Sequence, residues 1–198
     1  MPEHIAPMLP MNARALPADD DAHAYELGWH GLRAIAYVSG GRLRLMSAND
    51  DDVTAAYREV AGLAESLAPT ECVLDGEIVA FDAAGRIDEA ALRRRATQGR
   101  SRPGPSDPSV QYLAYDLLWL DGRSTVDLPF AERRASLEAL GIGGAHWQVP
   151  PHFTGGGRYA LDASRGYGLH GVVAKRLDAP YKPGRRTRAW LSISNDAG

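Results

Sequence analysis

A chain of 198 residues with 44% hydrophobic content can bury one core, and a second full domain would be cramped. Its one cysteine, Cys72, excludes an intramolecular disulfide; set in the apolar run Cys72-Val73-Leu74, it reads as a reduced core thiol, which points to the cytoplasm. A net charge of −3 gives no support for strong non-specific nucleic-acid binding, and no apolar stretch approaches the roughly 20 residues needed to span a bilayer.

Residues 1–21 hold four prolines, little periodicity and an acidic end at Asp19-Asp20-Asp21, which predicts a flexible arm without an export signal. From Tyr25 the pattern is strand, turn at His30-Gly31, an alternating strand to Val38, a Gly40-Gly41 turn and a third strand over Arg42 to Ser47. Val53, Ala56, Tyr57, Val60, Leu63, Ala64 and Leu67 fall at helical spacing, so a helix is expected from about Asp52 to Ala68, ended by Pro69. Cys72 to Phe81 reads as a buried strand and Asp88 to about Thr97 as a helix, before a Pro/Gly/Ser-rich loop over 99–110. Gln111 to Leu120 is a further strand, and Pro129 starts a helix to Leu140 with Phe130, Leu137 and Leu140 inward. Trp147 to Phe153 is extended, and Gly155-Gly156-Gly157 precedes a helix through Ser164; no Lys-Ser/Thr follows the glycines, so they are not a Walker loop. Gly171 to Leu177 and Ala189 to Ser194 complete the strands.

Of 22 basic residues only Lys175 and Lys182 are lysines. Two basic stretches stand out: 86–102, with Arg93, Arg94 and Arg95, and 175–188, with Arg185 and Arg186. They read as solvated surface or as contacts for DNA phosphates or a partner.

Five segments in order resemble one family. Tyr25-Glu26-Leu27-Gly28-Trp29-His30-Gly31-Leu32-Arg33 resembles motif I (KxDGxR) of the ATP-dependent DNA ligases, and Val73-Leu74-Asp75-Gly76-Glu77-Ile78 resembles motif III. Tyr112 to Leu118 is similar to motif IIIa, Gly171-Val172-Val173-Ala174-Lys175-Arg176 to motif IV, and Pro180 to Arg186 with Ala189-Trp190-Leu191 to the approach to motif V. The wording is nearest to the ligase domain of bacterial non-homologous end-joining proteins. The resemblance implies an α+β fold: antiparallel sheets with packed helices, a ligase-type nucleotidyltransferase (ATP-grasp-like) adenylation domain over 22–198. The oligonucleotide-binding domain that follows in the family is expected to be absent.

The departures fall on the reaction. In the family a motif I lysine attacks the α-phosphate of ATP; that position is Gly28, which has no lone pair to offer. His30 stands for the motif I aspartate, His170 for the acidic residue opening motif IV, and Ser192 and Ser194 for the two motif V lysines. No catalytic residue is therefore assigned. The positions that the resemblance places around the nucleoside are kept as Glu26, Arg33, Glu77, Tyr115 and Lys175. Parity along an unbulged strand puts Lys175 on the opposite side from His170, and Lys182 falls in a loop, so neither amine is expected to replace the lost nucleophile. His30, Glu77 and His170 could line one cleft and ligate a transition metal.

The expected function is an inactive ligase-like domain that works by binding DNA ends or repair partners. Alternatives are an adenine-nucleotide sensor, a metal-dependent enzyme reusing the cleft, and residual ATP-dependent ligase activity. No cofactor is expected; ATP or AMP with Mg2+ is implied by the resemblance alone.

Overall fold

The alternating run around Val38 forms strand β3 (Leu32–Ser39), and its two faces meet different cores. Ala34, Ala36 and Val38 face helices; Ile35 and Tyr37 face a second sheet. The computed structural model describes residues 1–98 and 108–196.

One sheet has the order β4-β3-β5-β6-β7, from β4 (Arg42–Ser47), β5 (Cys72–Phe81), β6 (Ser109–Leu120) and β7 (Arg123–Ser124), with β8 (Trp147–Gln148) added parallel to β6. The other has the order β1-β11-β10-β2-β9, from β1 (Leu9–Ala13), β2 (His23–Leu27), β9 (His152–Thr154), β10 (Gly171–Arg176) and β11 (Arg186–Ser194). Apart from β6–β8 and β1–β11, every pairing is antiparallel, so the expected fold class holds. Helices α1 (Gly62–Leu67) and α2 (Glu89–Gln98) cover the outer face of the first sheet, over a core that includes Val60, Leu63, Leu74 and Tyr112. Helix α4 (Gly157–Gly166) covers the second sheet through Tyr25, Leu161, Val172 and Ile193. Between the sheets Met8, Ile35, Tyr37, Leu118, Tyr181 and Trp190 form a third cluster. Helix α3 (Phe130–Ala139) packs along β6.

Three expectations change here. The flexible arm is wrong over 9–13: β1 pairs with β11 and Met8 is fully buried, so the burial of Met8 and the ladder bonds hold this stretch. The single helix over 52–68 is instead two 3-10 turns, Thr54–Ala56 and Arg58–Ala61, leading into α1. Leu45 donates to Thr54 Oγ1 (2.8 Å) and Val53 N to Leu45 O (2.9 Å), tying the segment to β4 in place of its own helical ladder. The loop expected over 99–110 lies outside the described residues as far as 107, and Ser109 and Val110 already belong to β6.

A residue distant in sequence caps α4. Gly155 and Gly156 take φ of 67° and 69°, a left-handed turn that aims two N–H groups at Asp20. Gly156 N (2.6 Å), Gly157 N (3.0 Å) and the Tyr25 hydroxyl (2.6 Å) all donate to its carboxylate. The Tyr25 hydrogen bond, followed by the backbone bonds, holds the Asp20 carboxyl below its ordinary value. A lowered folded pKa means that the stabilisation is complete above about pH 4 and is lost as pH falls through the folded value. Asp20→Ala should cost about 1 kcal/mol at pH 7. The deficit should shrink in urea titrations below pH 3; a deficit independent of pH would refute the cap.

Candidate functional site

Side-chain alternation turns a polar cleft toward the space between the sheets. A cavity of about 510 Å3 opens there, lined by Glu26, Gly28, Arg33, Glu77, Tyr115, Lys175, Trp190, Ser192 and Ser194 among others. The positions carried over from the family are thus gathered in one place.

The register of the second sheet orders the cleft in rows. Val173 lies between Glu26 and Ser192, and Lys175 between Ala24 and Trp190. One row further, Gly171 faces Ser194 on one side and takes the Gly28 N–H on the other (2.8 Å). Gly28, Gly171 and Ser194 therefore form an end of the cleft with no amine. Gly171 has φ of 147°, and a Cβ there would overlap the Ile193 carbonyl oxygen, so only glycine fits.

That glycine also overturns the parity argument for Lys175. The strand begins at Gly171, His170 belongs to the turn before it, and both side chains line the same cavity. Lys175 is still badly placed to act as a nucleophile. Four residues of strand separate it from the Gly28–Gly171 row, about 13 Å. Its side chain is 1% exposed, and its Nζ lies 2.7 Å from Glu26 Oε2 and 4.2 Å from the Trp190 ring centroid. Burial pushes its pKa down, and the Glu26 charge opposes that shift. Lys182 is exposed, and its backbone N–H points to the Met8 sulfur (3.2 Å).

The opposite end of the cleft is crowded with paired charges. Glu26 also meets Arg134 Nη1 (3.2 Å), and Arg134 donates in addition to Pro150 O and to Glu138 Oε1 (2.8 Å). Arg33 forks onto Asp75 (2.8 and 2.5 Å), and Tyr181 donates to the same carboxylate (2.8 Å). Tyr115 reaches the cleft because β6 carries an extra residue against Asp75/Gly76 of β5, and its hydroxyl donates to Glu77 (2.9 Å). Burial, then the Glu77 charge, raises the Tyr115 pKa well above its ordinary value, so it stays a neutral donor.

Other expected sites separate. Among the described residues, the groups that converge as metal ligands are His30, His170 and Glu89, so Glu89 on α2 replaces Glu77, whose carboxylate is turned to Tyr115. In the arginine run, Arg95 is 10% exposed and paired with Glu59 (2.7 Å), which removes it as a DNA contact; Arg93 and Arg94 meet Glu89 and Asp88. Arg185 and Arg186 are exposed, with Arg186 donating to Pro10 O (2.5 Å). Residues without a motif signal include Arg133, Arg134 and Glu89.

Two curved, mainly antiparallel sheets around a cleft with this motif order define a nucleotidyltransferase of the ligase type. The profile of the ATP dependent DNA ligase domain matches residues 7–193, so the chain belongs to the ATP-dependent DNA ligase family. The multifunctional non-homologous end joining protein LigD of Mycolicibacterium smegmatis is 37% identical over 190 residues, covering 96% of this chain and 24% of that protein. DNA ligase C of Mycobacterium tuberculosis is 32% identical over 191 residues, 92% of this chain and 52% of the ligase. A solved mycobacterial DNA ligase D complexed with ATP and MES matches with a TM-score of 0.83 and 36% identity, over 96% of this chain and 60% of that one. The chain is a ligase-type adenylation domain related to LigD, and it spans about a quarter of LigD's length.

Proposed function

We propose that this domain does not form a covalent adenylate and acts by binding, with free DNA ends as its first target. The observation that carries this reading is the Gly28–Gly171–Ser194 row, where the cleft offers no amine.

The family uses ATP, and the cleft fits one half of that molecule. Around Glu26, Tyr115, Lys175 and Trp190 it is deep and partly apolar, with a buried Trp190 Nε1 that meets no hydrogen-bond partner among the described residues. A triphosphate with Mg2+ does not fit the other half. Among the described residues, the lysine and arginine that line the cavity, Lys175 and Arg33, are each neutralised by a buried carboxylate, and Asp196 adds negative charge to the lining. Developing charge on phosphates needs fixed cations, and losing one commonly costs 10²-fold or more. DNA-end binding is inferred from kinship to end-joining ligases together with this chemistry.

Fluorescence anisotropy with a labelled linear duplex at low salt tests the reading. Binding should be competed by linear DNA and far less by closed circles of the same sequence. Equal competition, or no binding, would refute it. A second reading, adenosine or AMP binding, is favoured by the unpartnered Trp190 Nε1. There a ligand at 100 times its dissociation constant should add about 2.7 kcal/mol to stability, and an unchanged melting curve would dismiss it.

A further inference from the structure

At the outer end of the cleft the His30 and His170 rings stack, with centroids 4.0 Å apart and planes within 2° of parallel. His30 follows β2 with a φ of 54°, and His170 precedes β10, its N–H directed at Gly28 O (3.4 Å). The two turns are thus held side by side by the β2–β10 pairing. Helix α2 brings Glu89 to the same point: its Oε1 is 3.1 Å from His170 Nε2, while Arg93 Nη1 holds its Oε2 at 3.1 Å. One ligand atom from each of His30, Glu89 and His170 lies within 4.8 Å of the others.

Two imidazole nitrogens and one carboxylate oxygen form a ligand set for borderline divalent transition metals; Mg2+ and Ca2+ prefer oxygen alone. Metal–ligand bonds near 2.1 Å require the three atoms to close to roughly 3.4 Å in a tetrahedral arrangement. The imidazoles must also turn out of the stack so that their lone pairs converge. The side chains are free to do this, since His170 is 49% and Glu89 37% exposed and His30 is exposed. Arg93 orients the carboxylate without occupying Oε1, as an outer partner does in built metal sites. Three protein ligands would leave a coordination position open at the mouth of the cleft.

We propose that His30, Glu89 and His170 bind one zinc-class divalent ion. The inference stands independently of the reading above, because it needs neither DNA nor nucleotide.

Untagged, chelator-stripped protein titrated with Zn2+ by calorimetry should bind one equivalent, and Co2+ should give the visible absorption of a low-coordinate site. His30→Ala, Glu89→Gln and His170→Ala should each weaken binding about tenfold or more, whereas His4→Ala, in the separate pair with Asp50, should not. All are surface changes, and melting curves in chelator verify folding. Should a variant fail to fold, Zn2+-induced movement of the His30 and His170 ring NMR signals in the parent protein decides the matter. No binding at submillimolar Zn2+, binding that survives all three substitutions, or unmoved ring signals would overturn the proposal.

Discussion

Asp116→Ala should cost about 3–5 kcal/mol and bring the domain close to unfolding. Asp116 and Arg133 are both fully buried, joined by two parallel 2.7 Å bonds from Nε and Nη2. The remaining nitrogen of Arg133 donates to Leu128 O (2.6 Å) and Ala179 O (3.1 Å), so one guanidinium ties α3, β6 and the segment after β10 together. Removing the carboxylate strands a cation away from water, and the penalty is that of the uncompensated charge. Replacing both partners by apolar residues of similar volume, as in Asp116→Leu with Arg133→Met, should recover most of the loss. Denaturant midpoints at pH 7 measure both. A loss below about 1 kcal/mol for the single variant would show that Arg133 finds water or another partner.

The second large effect is expected at Glu26. Its two oxygens neutralise Lys175 and Arg134, and all three side chains are at most 4% exposed. Glu26→Ala should therefore also cost about 3–5 kcal/mol, with Glu26→Gln losing less because an amide oxygen still accepts one hydrogen bond. Lys175, already pushed down by burial, should lose its proton more readily once the carboxylate is gone. The result separates two roles for one residue. If Glu26→Gln keeps full stability and abolishes stabilisation by adenosine, Glu26 serves a ligand; if stability falls in the ligand-free protein, it holds the cleft together. The geometry predicts the second.

The sequence was most informative where local pattern and burial agree. The β3 alternation, the turn at Gly40-Gly41 and the helix after Pro129 are written in neighbouring residues, and the structure places them as expected. What escaped depends on partners far along the chain. β1 exists because β11, over 170 residues later, offers it an edge. The 3-10 turns at 54–61 follow from hydrogen bonds to β4 that a helical pattern does not reveal. Arg133 and Arg134 sit on a helix whose periodicity marks Phe130 and Leu137 as inward, and arginine is ordinarily exposed. Their only signal was that the buried acids Asp116 and Glu26 on strands require counter-charges. At the cleft, motif order named Glu26, Glu77 and Tyr115, which the structure gathers around one cavity, but strand parity failed for Lys175 because Gly171 breaks the alternation, and Glu89 came from a helix that no motif includes.

The proposed loss of adenylyl transfer at the Gly28 end of the cleft is open to direct measurement. Incubating the purified domain with α-labelled ATP and Mg2+, quenching in denaturant and counting label on the chain tests it, with an active ligase alongside. No retained label beside a labelled control is the predicted result. Label surviving denaturation would mean that Lys175, Lys182 or another nucleophile has taken over, and would contradict the account.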